Sequence, residues 1–165
     1  ESYPRTYISH QSECEYNHGM AQFYNYGQVE EDEISNNRLK ELVSKQPVGV
    51  AIHSSSGMMS YSKGVLTNDF LNCSSRSKRI NHGVLLVGYG KTKEDDLIYG
   101  GLSVKTCEEY WIVRNSWGTR WGENGFFRLC MDDAGSQLMP EGACHINAYV
   151  QYPIATAEDV PQELC

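Results

Sequence analysis

The segment Gly83–Tyr89, GVLLVGY, is apolar along nearly its whole length, so a strand built from it can leave neither face open to water. It demands cover on both sides. The runs VGVAIH, YWIVRN, GFFRLC and HINAYVQYP are β-branched, aromatic or alternating, and read as further strands. Only EDEISNNRLKELVSKQP carries a helical pattern: an acidic start, a partial apolar stripe of Ile34, Leu39, Leu42 and Val43, and Lys45 before a stop at Pro47. Strands that dominate after a single helix imply an antiparallel sheet, closed on itself or backed by that helix. The expected architecture is α+β, a barrel-like β domain with an incomplete companion at its N-terminal side.

The connections add detail. SWGTRWGEN joins YWIVRN to GFFRLC, with Gly118, Gly122 and Gly125 for tight turns and Trp117 and Trp121 for bulk. Residues 53–81 are rich in Ser, Gly and Asn and read as one long structured loop, whereas Lys91–Glu109 reads as a polar insertion or extended hairpin arm. The first thirty residues read as loops with short edge strands. The spacing therefore divides the chain into an N-terminal segment 1–30, a β domain 31–153 and a tail 154–165.

With 40% hydrophobic and 21% charged residues in 165, the chain has material for one real core. A net charge of -7 presents a repulsive field to nucleic acid or an anionic membrane, and no apolar run is long enough for a helical membrane span. The start, ESYPRTY, lacks a signal peptide's basic region and apolar core, so a mature, processed chain is expected. Cys14, Cys73, Cys107, Cys130, Cys144 and Cys165 lack the paired spacing of a metal site, and His82 and His145 are too remote to complete one; no metal or cofactor is implied. Disulfides in an oxidising compartment are the expectation, and the sequon Asn72-Cys73-Ser74 offers a glycosylation site there.

His82, at the head of the apolar strand, is by itself an ordinary packing or hydrogen-bonding histidine. Asn115 changes its meaning. Its amide oxygen can accept a hydrogen bond from one ring nitrogen and so fix the tautomer and orientation of the imidazole, and Trp117 can shield that bond from water. Taken singly, Asn115 is a turn former and Trp117 and Trp121 are loop packing. Together they suit a histidine that works with a cysteine thiolate.

NHGVLLVGYG, YWIVRNSWGTRWGENGFFRL and QPVGVAI together resemble the C-terminal portion of papain-like cysteine proteases, the cathepsin L-like family of secreted and lysosomal or vacuolar endopeptidases. The resemblance runs from about Ser2 to Pro153. It implies a two-domain papain-like fold, of which this chain holds mainly the right-hand antiparallel β-barrel with one flanking helix, plus part of the left domain. By resemblance His82 is the general base and acid, Asn115 its orienting partner and Trp117 the aromatic cover. The family's nucleophile lies in a block like CGSCWAF preceded by an oxyanion-hole Gln. No such block occurs here, no cysteine of the six has that setting, and neither Gln11 nor Gln22 takes the Gln role. On the family pattern about 80 to 90 residues would precede ESYPRTY.

The chain is therefore expected to be a heavy-chain-like fragment of a cysteine endopeptidase, its Cys supplied by a separate N-terminal light chain. Without that light chain it would not be an enzyme by this mechanism. The alternative is a catalytically inactive homologue serving as a binding or structural protein. The expected partners are the disulfide-linked light chain, peptide or protein substrates and protein inhibitors. The resemblance pairs Cys73 with Cys144 and assigns Cys14 to the left domain, and Cys165 is left over as a second interchain candidate. Cys107 and Cys130 depart from the common pattern; if YWIVRN and GFFRLC pair, they can bridge the base of that hairpin. By resemblance Ala51, Ile80, Asn81, Gly83 and Tyr149 surround the main specificity pocket, which implies a preference for aliphatic side chains, Val or Leu before Phe, with the bulk of Tyr149 shortening the pocket. A lysosome, a vacuole or the exterior is the expected location, and synthesis as a zymogen belongs to the same expectation.

Overall fold

The computed structural model describes residues 25–29, 35–73, 80–99, 107–131 and 141–154. Two helices and eight strands follow in the order β1 (Asn25–Gln28), α1 (Asn36–Lys45), β2 (Val48–Ile52), β3 (Val65–Leu66), α2 (Asn68–Leu71), β4 (His82–Lys91), β5 (Ile98–Tyr99), β6 (Glu109–Arg114), β7 (Phe126–Cys130) and β8 (Val150–Ile154). The α+β class holds. The stretch 53–81 is more structured than its composition suggests, containing a 3-10 turn at Ser56–Ser60 as well as β3 and α2.

Helix α1 starts where the Ser35 side chain accepts a hydrogen bond from the Arg38 backbone N–H, and it ends two residues before Pro47. Its first turn contains no acidic residue, so the cap rather than the helix dipole sets its beginning. Leu39, Leu42 and Val43 form the buried stripe and pack on β4; Ile34, expected in the same stripe, lies outside the described residues.

The strands form one sheet in the order β1-β8-β2-β4-β6-β7-β3-β5. This corrects two expectations. The sheet is mixed, because β3 runs parallel to both β5 and β7, and it is not a closed barrel: β1 and β5 are its two ends and do not pair with each other. Closure needs a continuous staggered ladder. Here the last two strands, β3 and β5, are two residues long and cannot carry the ladder round.

β4 is the spine of the sheet, paired with β2 from Val48↔Leu86 to Ile52↔His82 and with β6 from Leu85↔Arg114 to Lys91↔Glu109. Val84 and Leu86 are buried, but Leu85 and Tyr89 remain partly exposed. The cover expected on both faces is thus complete on one only. The core joins Leu39 and Leu42 of α1 to Val48, Ile52, Trp111 and Phe127 of the sheet.

Two disulfides bind the outer elements to this core. Cys73–Cys144 ties the end of α2 to the turn before β8, and Cys107–Cys130 ties the approach to β6 to the last residue of β7. Cys14 and Cys165 lie outside the described residues, as do 1–24 of the N-terminal segment and 155–165 of the tail. Among the described residues no helix is long and apolar enough to cross a membrane, and no cluster of His, Cys, Asp and Glu could hold a metal ion.

Candidate active site

Antiparallel pairing of β4 with β6 brings the first residue of one strand beside the residue that follows the other. His82 Nε2 and Asn115 Oδ1 are 2.9 Å apart. An amide oxygen can only accept, so the imidazole donates from Nε2, leaving Nδ1 as the ring atom able to take or give a proton in chemistry. Trp117 stacks on the ring, with centroids 5.3 Å apart and planes at 30°.

Asn115 is itself held. Its backbone N–H donates to Gly125 O at 2.9 Å, and its Oδ1 also accepts from the Ser116 N–H at 2.8 Å. It is only 4% exposed, and its Nδ2 has no hydrogen-bond partner among the described residues. Burial without full satisfaction is costly for an amide, and it persists here because the surrounding turn is over-determined. Gly122 and Gly125 both have positive φ, and a Cβ on Gly122 would stand 2.5 Å from Phe126 O, so the chain can reverse there only with glycine.

A charged clamp closes the turn from behind. Arg128 on β7 reaches Glu123 through Nη2 at 2.9 Å and Asp96 through Nη1 at 2.6 Å, while Glu123 also accepts from the Gly64 N–H at 2.9 Å. Burial works against the guanidinium charge, but the two carboxylates outweigh it and hold the Arg128 pKa up. Asp96 is correspondingly depressed, by its bond to Arg128 first and by the Lys93 N–H second. Desolvation raises the pKa of the Tyr61 hydroxyl, which donates to Gly64 O in the same cluster.

A groove of about 490 Å³ opens beside Asn115. Ala51, Gly83 and Tyr149 line it, together with Leu85, Arg114, Ser116 and Gln151, which the sequence reading did not single out. A Cβ on Gly83 would meet nothing within 4 Å, so this glycine keeps the groove wide rather than fitting a tight contact. The period of two in a strand could have found Leu85 from Gly83 and Gln151 from Tyr149. Gln151 Nε2 donates to Tyr149 Oη at 2.9 Å.

Ile80 and Asn81 lie outside the lining. Ile80 is 42% exposed. Asn81 turns its amide to the backbone of Ser54, accepting from the N–H at 2.7 Å and donating to the carbonyl at 3.0 Å. Asn72 is the exposed left-handed cap of α2. His145 is buried, with Nδ1 2.6 Å from Glu141 Oε2.

An imidazole oriented by a buried amide and covered by an indole, with that amide lining an open groove, is the class of arrangement that can assist a nucleophile. Comparison with known proteins gives that class its family. The sequence model described as papain family cysteine protease matches residues 1–154. Vignain of Vigna mungo is 39% identical over 126 residues, covering 76% of this chain and 29% of its own length. The KDEL-tailed cysteine endopeptidase CEP2 of Arabidopsis thaliana is 36% identical over 136 residues, covering 82% of this chain and 31% of its own. Among solved structures, the bromelain protease from Ananas comosus, determined with an inhibitor bound, superposes with a TM-score of 0.61 at 28% identity, covering 81% of this chain and 51% of bromelain. The chain belongs to the papain family of cysteine proteases. It spans less than a third of the length of these two curated relatives.

The match corrects the reading of the chain as a C-terminal fragment that depends on another chain. It runs through residues 1–154 as a papain-family protease domain, and none of the comparisons supports a separate disulfide-linked light chain that supplies the nucleophile. All four described cysteines are paired in disulfides, so none of them is the thiolate that would work with His82.

Proposed function

We propose that the protein carrying this chain hydrolyses peptide bonds through a cysteine thiolate assisted by His82. The observation that carries the reading is the 2.9 Å hydrogen bond from His82 to Asn115 beneath Trp117. The bond holds the imidazole with Nε2 committed to the amide and Nδ1 free for proton transfer. The thiolate attacks the scissile carbonyl, the peptide C–N bond breaks, and His82 passes a proton to the departing amine. Water then loses a proton to His82 as it attacks the acyl-enzyme, which releases the acid and regenerates the thiolate. Asn115 never exchanges a proton; it keeps the ring in register through both steps.

The groove beside Asn115 receives a side chain on the acyl side of the cut. Its lining by Ala51, Gly83, Leu85 and Tyr149 suits aliphatic residues, Val or Leu before Phe, because the ring of Tyr149 occupies length that a phenyl group would need. Two disulfides and similarity to a KDEL-tailed plant endopeptidase support a vacuole, a lysosome or the exterior as the place of action. Glycosylation at the exposed Asn72 and synthesis as a zymogen belong to the same reading.

Treatment of the native protein with a thiol-directed epoxide, followed by peptide mapping, tests the proposal alongside turnover of a Leu-containing fluorogenic peptide. One labelled cysteine with loss of turnover is expected. Neither labelling nor turnover would contradict hydrolysis and leave an inert binding homologue.

A further inference from the structure

Cys144 and His145 both take left-handed backbone, with φ of 50° and 66°, a region that strains an ordinary residue and suits glycine. The chain does place glycine nearby: Gly142 has φ 73°, and a Cβ there would stand 2.9 Å from the Asn147 amide. Cys144 is fixed by its disulfide to Cys73. His145 has no such tie, so the reason for a histidine at a position suited to glycine lies in its side chain. It is 3% exposed, and among the described residues its ring makes one hydrogen bond, from Nδ1 to Glu141 Oε2 at 2.6 Å. Its Nε2 is buried without a partner there.

That bond clasps a compact turn. The Asn147 N–H donates to Glu141 O at 3.0 Å and the Ala148 N–H to His145 O at 2.9 Å. On either side of His145 the turn is fastened to its neighbours: Cys144 O accepts from the His53 N–H at 2.9 Å, and Asn147 Nδ2 donates to Asn36 Oδ1 on α1 at 2.9 Å. These bonds fix residues 144 and 147, and the clasp holds the strained residue between them. The turn runs directly into Tyr149, which lines the groove and whose carbonyl accepts from the Ala51 N–H at 3.1 Å. Tyr149 is 46% exposed, so packing does little to fix its ring, and the direction in which the backbone leaves the turn decides where the ring stands.

We propose that His145 and Glu141 are positioning residues for Tyr149: their bond holds the turn 141–148 in the conformation that sets the ring across the groove, and so sets the length of side chain the groove accepts. The inference rests on the peptide-hydrolysis reading above and assigns its selectivity to a pair outside the groove lining. Neither residue touches substrate. His82 and Asn115 are held by the pairing of β4 with β6 and by each other, so the clasp governs which peptide is held rather than how fast a held peptide is cut.

Internally quenched peptides, identical except for Leu or Phe at the groove position, test it. The native protein is expected to favour Leu in kcat/KM by about tenfold, the scale on which a hydrophobic pocket discriminates. His145→Gly keeps the left-handed backbone without strain but loses the clasp, and Glu141→Ala loses the clasp alone. Each brings the ratio near one, through KM for the Phe peptide rather than through kcat. Glu141→Gln keeps an oxygen acceptor for the ring N–H and retains the native ratio. A merely structural role gives a different pattern: thermal melts would show His145→Gly at least as stable as the native protein, and its selectivity would be native too. A ratio unchanged in both His145→Gly and Glu141→Ala, a fall confined to one of them, or native turnover with no Leu preference overturns the positioning role and leaves hydrolysis standing. No turnover of any peptide by the native protein overturns the hydrolytic reading and the positioning role with it.

Discussion

Asn115 Oδ1 receives the His82 ring and the Ser116 N–H together, so the oxygen is saturated and the imidazole cannot swing without leaving it. Asn115→Ala is expected to reduce kcat by about 100-fold, the scale of a misplaced proton-transfer group, with little change in KM, as measured on a fluorogenic peptide. Trp117→Ala exposes the same hydrogen bond to water but leaves it in place, so a loss of about tenfold is expected in the same assay. These partners were legible in the sequence because both sit at strand ends in characteristic surroundings. Asn81 was less so: its bond to Ser54 spans 27 positions and has no local signature. Only folding reveals that it braces a loop rather than lining the pocket.

At the level of elements, the turn from Asn115 to Gly125 depends on the cluster of Arg128, Glu123 and Asp96. The Asp96 pKa is lowered below its ordinary 3.8 on folding. Its contribution is therefore fully present above that value and is lost as pH falls through the depressed one. Thermal melts should show Asp96→Asn destabilising the protein by about 1 kcal/mol at pH 6, with the difference vanishing as the pH is taken well below 3.8. Removing the Cys107–Cys130 disulfide by paired Ser substitution frees a sequence separation of 23 residues and is expected to cost about 3 kcal/mol in denaturant unfolding. The helix and the longer strands could be read from periodicity and from Pro47. Strands β3 and β5 could not, because two residues carry no period and their pairing is parallel and long-range. That is why the closed antiparallel barrel expected from the sequence is instead an open mixed sheet.

Across the whole molecule, β4 brings the functional parts together. Its first residue is the histidine, its next carries the open groove wall, its partner β2 supplies Ala51, and Asn115 directly follows its partner β6. The family was legible from three long sequence blocks, but the dependence on a second chain inferred from one missing block did not survive comparison over residues 1–154. A double-mutant cycle in kcat/KM measures directly whether His82 and Asn115 act as one unit in hydrolysis. His82→Ala, Asn115→Ala and the double variant are compared on one Leu-containing peptide, with circular dichroism to verify folding. The double variant is expected to be no slower than His82→Ala alone, since Asn115 acts only through the ring. Fully additive losses, or turnover that persists without His82, would contradict it.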